Sequence, residues 1–166
     1  MGNVSAHFDV SEFEHGTTIP DDCLPLLRQF CAEILEPVRA FIHRPLEITS
    51  GYRSVATNTA THGVKDSEHI WTPRKIAADF TFNTTFGTML SVRAVFDWIR
   101  TSPTIPFHEV IFEHSVDGSS IIHVSLNLDA PGVRQALEGA VHNLSPYTSW
   151  EVVDYNPPDS SGSMNA

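Results

Sequence analysis

Two apolar runs, Val110 to His114 and Ile121 to Leu128, flank the turn signal Asp117-Gly118, and this pairing constrains the fold more than any other feature. Runs of that length around an Asp-Gly close as an antiparallel hairpin. Such a hairpin leaves an apolar face that other elements must cover. From about Asp21 to Ile42, apolar residues recur at Leu24, Leu27, Cys31, Ile34, Leu35, Val38, Phe41 and Ile42, the spacing of one buried helix face. Thr18 stands three residues ahead of Asp21 as a start signal, Pro20 suits the first turn, and Pro37 should kink the helix. A second helix runs from about Thr88 to Arg100, with Met89, Val92, Phe96 and Ile99 on one face, and Pro103 and Pro106 stop it. Leu46 to Thr49 and Ile76 to Phe82 read as strands, Thr57 to Trp71 as polar and irregular, and Val133 to His142 as a further helix. The opening His7-Phe8-Asp9-Val10-Ser11-Glu12-Phe13 reads as a lead-in whose apolar residues dock on the body. Helices and strands in mixed order give an α+β class, a small antiparallel sheet packed by helices. A single domain is expected over 1–155, with a disordered Pro-, Ser- and Gly-rich tail at 156–166.

Charge narrows the partners. Ten basic against twenty acidic residues give a net charge of −10, which argues against nucleic acid, because phosphate contacts need clustered Lys and Arg. No apolar stretch approaches the roughly 18 residues of a membrane span, so no membrane insertion is expected. Met1 to Val10 shows no basic segment followed by an apolar run, so the expectation is a chain made in the cytoplasm without a signal peptide. Cys23 and Cys31, eight residues apart on one helix, would lie ~12 Å apart, too far for a disulfide. Both read as helix-packing residues.

A catalytic zinc needs three protein ligands and one open position, and neutral imidazole and carboxylate are suitable donors. Nine histidines are spread through the chain, so residue type alone singles out none of them. Order does more. The stretch Ile48-Thr49-Ser50-Gly51-Tyr52-Arg53-Ser54, with Asn58 after it, is followed by Ser67-Glu68-His69, Ala77-Ala78-Asp79 and Ile122-His123-Val124-Ser125. This series resembles the zinc D-Ala-D-Ala carboxypeptidase family, which also includes phage L-alanyl-D-glutamate endopeptidases and shares a core with Hedgehog signalling domains. The opening His7-Phe8 to Phe13 and the run Leu35-Glu36-Pro37-Val38-Arg39 resemble its phage-associated branch. The likeness covers roughly residues 7–130.

That resemblance implies His69, Asp79 and His123 as ligands of a zinc in a cleft on the sheet. It implies Arg53 as the group that binds a substrate carboxylate or polarises the scissile carbonyl; the alternative is a structural Arg paired with a local carboxylate. Ser67, Tyr52 and Ser125 are the expected substrate contacts, with loop capping as the other reading of Ser67. Two departures stand out. Many relatives carry an acid three positions before the last ligand histidine, where this chain has Ser120. Their first histidine and aspartate are usually separated by six residues; here nine intervene, including Trp71-Thr72-Pro73-Arg74-Lys75, which an outward bulge could accommodate.

Strand parity supplies another general base. If Val110 and Phe112 share the buried face with Ile122, Val124 and Leu126, then Glu109, Ile111 and Glu113 share the opposite face with Ile121, His123 and Ser125. A three-residue loop at Asp117 to Ser119 would set Glu113 opposite His123, about 5 Å between β-carbons. His114 points the other way. Glu113 could then take a proton from water at the metal and return it to the leaving amine; the alternative is a solvated edge-strand glutamate. The expected function is a zinc metallopeptidase acting on peptidoglycan stem peptides, a phage lysis enzyme or virion component that reaches the wall after release by the host lysis machinery or within the particle. The alternative is a catalytically weak or inactive virion protein, in contact with other virion proteins, that keeps the zinc for stability.

Overall fold

The computed structural model describes residues 2–83, 91–115, 118–141 and 151–156. Its centre is a six-stranded sheet in the order β1-β2-β4-β3-β5-β6. The strands are β1 (Glu47–Ser50), β2 (Lys75–Thr81), β3 (Glu109–Ser115), β4 (Ser120–Asn127), β5 (Arg134–Val141) and β6 (Glu151–Asn156). Helices are α1 (Ser11–Glu14), α2 (Leu24–Phe30), α3 (Glu36–Ile42), α4 (Val55–Ala60) and α5 (Val92–Thr101). The class is α+β, as the mixed order of elements predicts.

Alternation along the strands sorts the sheet into two faces. Ile76, Ala78 and Phe80 of β2, Val110 and Phe112 of β3, and Ile122, Val124 and Leu126 of β4 are buried in the main core. They meet Leu27, Phe30, Ile34, Leu35 and Val38 from the first helical run and Val95, Phe96 and Ile99 from α5. Phe8 and Phe13 of the lead-in dock into the same core. The opposite face of the three central strands carries Asp79, Glu109, Ile111, Glu113, His123 and Ser125.

Several expectations change. The sheet is mixed rather than antiparallel, because β3 and β5 pair in parallel. Val133 to His142, read as a helix from its apolar spacing, is instead strand β5 over Arg134–Val141, and His142 lies outside the described residues. The sheet decides the matter: β3 offers an open edge, whereas a helix here would place Gly139 in its interior at a cost of about 1 kcal/mol. The parallel pair needs no crossover helix, since the chain enters β5 from β4 and hops over β3 at one end. Helix α4 overlaps the start of the Thr57 to Trp71 segment read as irregular, and its first turn is capped by Ser54 Oγ accepting from Thr57 N at 3.1 Å.

The long first helix is composite. A 3-10 turn at Asp21–Cys23 leads into α2, and Thr18 does not cap it. Pro37 lacks an N–H, and the strain is taken up by a π-helical turn at Cys31–Leu35, where Glu36 N bonds Cys31 O five residues back. Cys23 and Cys31 are free and buried. Helix α5 starts at Val92, capped by Ser91 Oγ; Thr88 and Met89 fall outside the described residues, as do Asp117 and the tail from 157. No described helix is long and apolar enough to cross a membrane.

Glu36 ties the lead-in to α3: Oε1 accepts from Ser5 Oγ at 2.6 Å and His7 N at 2.9 Å, and Oε2 faces His7 Nδ1 at 2.7 Å. Burial alone would raise its pKa, but these hydrogen bonds outweigh it and hold the carboxyl below its ordinary value. The resulting stability is present above the unfolded-state pKa of about 4.3 and is lost as pH falls through the folded-state value. Glu36→Gln is therefore expected to cost about 1 kcal/mol near neutral pH in urea unfolding. The gap from wild type should close as the pH drops below about 4.

Candidate metal centre and its flanking carboxylates

Register brings the first two donors together. β2 and β4 pair so that Asp79 stands opposite His123, and Asp79 Oδ1 lies 2.8 Å from His123 Nδ1. The third donor arrives from the loop before β2: His69 Nε2 lies 3.1 Å from Asp79 Oδ1 and 3.3 Å from His123 Nδ1. All three side chains are buried, and together they form a group able to hold a metal ion. Donors about 2.0–2.1 Å from a tetrahedral zinc stand about 3.3 Å from one another, so this triangle has the size of one face of such a site.

Electrostatics make the same demand. Burial alone would raise the pKa of Asp79, but the charge of His69 and hydrogen bonds from His123 and His69 hold it far below the carboxylate range. Burial would lower His123, yet its hydrogen bond to Asp79 and the carboxylates of Glu68 and Glu109 push it up to about 10. A buried carboxylate between two imidazoles calls for positive charge at its centre, and a proton or a metal cation can supply it. The donor set, two imidazoles and a carboxylate, is one that zinc takes.

The Ser50-Gly51-Tyr52-Arg53 run holds His69 in place. Gly51 O lies 2.8 Å from His69 Nδ1, which leaves Nε2 as the lone-pair donor. Arg53 N donates to His69 O at 2.8 Å. A Cβ on Gly51 would come within 2.7 Å of Phe13 Cα and 2.9 Å of Phe13 C, so only glycine permits this approach. A bulge in β1 between Ile48 and Ser50 sets Ser50 beside Asp79. Arg53 Nη2 donates to Ser50 Oγ at 2.8 Å and lies 3.6 Å from Asp79 Oδ2, the oxygen turned away from the histidines. Arg53 thus pairs with a local carboxylate that is itself one of the donors.

The longer His69–Asp79 interval leaves the triangle intact. Its surplus folds as a tight turn, with Thr72 and Lys75 exchanging backbone hydrogen bonds at 2.9 and 3.2 Å. Buried Trp71 donates from Nε1 to Ala77 O at 2.9 Å.

Glu113 shares the face of His123, as parity requires, but it is not opposite it. The β3–β4 ladder runs to His114↔Ser120, so five residues intervene, Glu113 pairs with Ile121, and Ile111 faces His123. A slip of two residues preserves the face and makes Glu113 the diagonal neighbour. Burial, then the charge of Asp79, push its pKa up to about 7, with His123 and Arg53 opposing. Ser120 is three residues from His123 in the same strand, so by alternation it lies on the other face. His114 also lies on that face, its ring 5.8 Å from Phe112.

The remaining sequence candidates divide. Ser67 is buried and its Oγ accepts from His69 N at 3.3 Å, the geometry of a loop cap. Ser125 is wholly buried, with Oγ accepting from Glu109 N at 3.1 Å. Tyr52 is half-buried against Trp71, ring centroids 5.8 Å apart. Two carboxylates carry no role in the sequence reading. Glu109 Oε1 lies 3.8 Å and Glu68 Oε2 4.0 Å from His123 Nε2. Parity had already placed Glu109 on this face, whereas Glu68 sits in an irregular loop where no periodicity reveals its direction.

A family model described as Peptidase M15 matches residues 6–102, more than half of the chain. The chain belongs to that peptidase family. The matched stretch contains Arg53, His69 and Asp79 and ends before β3. Among curated proteins, no sequence matches the chain.

Gly51→Ala is expected to displace the carbonyl behind His69 and weaken zinc binding about tenfold or more. Titration against a competing chelator reads this directly. An unchanged affinity would show that the Gly51 carbonyl does not set the ligand.

Proposed function

We propose that this M15 family member is a zinc-dependent peptidase that hydrolyses peptide bonds in peptidoglycan stem peptides. The observation that carries the reading is the convergence of His69 Nε2, Asp79 Oδ1 and His123 Nδ1 within 2.8–3.3 Å of one another. Among the described residues this group has three members. A structural zinc is normally closed by four protein ligands, so three favour catalysis. Bound there, zinc would supply Lewis acidity toward the scissile carbonyl and toward water.

The chain's own residues do the rest. Glu113, half-buried and with its pKa pushed up to about 7, takes a proton from the attacking water and returns it to the leaving nitrogen. It is the diagonal neighbour of His123 across the β3–β4 ladder, on the sheet face that carries Asp79 and His123. Arg53 commits Nε and Nη2 to Ser50 and Asp79, so a substrate carbonyl or terminal carboxylate would meet Nη1. Tyr52 is the substrate-side contact, while Ser67 and Ser125 brace the walls behind. The setting we infer is a phage lysis enzyme or virion component, a reading supported by the resemblance of the opening and Leu35–Arg39 stretches to that branch.

Purified peptidoglycan is the test substrate, with released stem peptides read by mass spectrometry. Wild-type protein should release peptide, lose activity to a chelator and regain it with zinc. Glu113→Gln should retain zinc and lose about 10²–10⁴-fold in rate, whereas His123→Ala should lose the metal. Zinc held with no peptide released under any condition would instead identify a non-catalytic particle component.

A further inference from the structure

On the far side of His123 from the donor triangle, Glu68, Glu109 and the imidazole Nε2 form a second convergent group. If Nδ1 offers its lone pair to a cation, the ring's proton resides on Nε2, and that N–H must find an acceptor. Glu109 Oε1 at 3.8 Å and Glu68 Oε2 at 4.0 Å face it. Glu68 Oε2 is buried and has no hydrogen-bond partner, so it is an acceptor awaiting a donor. The scaffold around the pair is fixed: Glu109 N and His108 N both bond Ser125, and His108 Nε2 lies 3.7 Å from Glu68 Oε1.

We propose that Glu68 and Glu109 are positioning residues for His123, receiving its Nε2–H and so fixing Nδ1 as the metal donor. The inference rests on the zinc reading above. It gives His123 what Gly51 O gives His69, an acceptor on the ring nitrogen that does not face the metal. The chemistry differs, because a carbonyl only orients, whereas two carboxylates also offset the charge the cation brings. Register separates Glu109 from Glu113: Ile111 faces His123, with Glu109 two residues to one side along β3 and Glu113 two residues to the other.

Two measurements on the full chain test this. Zinc affinity is measured by chelator competition for wild type, Glu68→Gln, Glu109→Gln and Glu68→Leu/Glu109→Leu. The His123 Nε2–H is followed by proton–nitrogen NMR in the zinc-loaded protein. Wild type should show a downfield, slowly exchanging Nε2–H. The double Leu variant should lose that signal and bind zinc about ten- to a hundredfold more weakly. The Gln variants keep side-chain shape and an accepting oxygen, and they should fall between, so the pattern survives if the double variant folds poorly. Gln variants with wild-type zinc affinity and an unchanged His123 signal overturn the proposal while leaving the metal reading intact. Wild-type protein that takes up no zinc, or whose zinc affinity is unchanged by His123→Ala, overturns both.

Discussion

The pairing of Asp79 with His123 across β2 and β4 is the constraint on which the rest of the site depends. It is a cross-strand neighbour relation, so its geometry is set by the backbone ladder rather than by side-chain freedom. Everything else is arranged around that fixed edge. His69 is swung onto it by the Gly51 carbonyl and the Arg53 amide, and Arg53 turns the far oxygen of Asp79 away from the histidines. Burial then makes positive charge beside Asp79 a requirement, met by a protonated imidazole or by a metal cation, because an uncompensated carboxylate at that depth is costly.

The division of the sheet into two faces assigns separate tasks to residues one position apart. Val110, Phe112, Ile122, Val124 and Leu126 of β3 and β4 feed the hydrophobic core with α2, α3 and α5, while Glu109, Glu113, His123 and Ser125 lie on the other face. The consequence for Ser120 is direct. Three positions before His123 in this regular strand, its side chain belongs to the other layer. Glu113 on the neighbouring strand, an even number of residues from His123, shares its face.

Much of this was legible from residues alone. The order of Ser50-Gly51-Tyr52-Arg53, His69, Asp79 and His123 pointed to three side chains that the structure brings together, and strand parity placed Glu113 on the face of His123. The register was not legible, because it depends on how many residues the β3–β4 connection uses, and a loop length cannot be read from periodicity. Val133 to Val141 has helix-like apolar spacing, and only the open edge of β3 makes it a strand. Glu68 stayed hidden for a different reason: direction in an irregular loop is fixed by tertiary contacts, here the Ser67 cap and the His69 anchorage. The Gly51 requirement is likewise tertiary, since it follows from the Phe13 backbone passing close by.

Trp71 isolates the loop between His69 and Asp79 from the two side chains themselves. Its indole N–H clamps the outgoing chain to Ala77 on the returning strand, and the residues between close on themselves as a turn. Whatever happens beyond that clamp is mechanically insulated from His69 and Asp79. The number of residues beyond the clamp is thus free to set the shape of the rim without moving the side chains of His69 and Asp79.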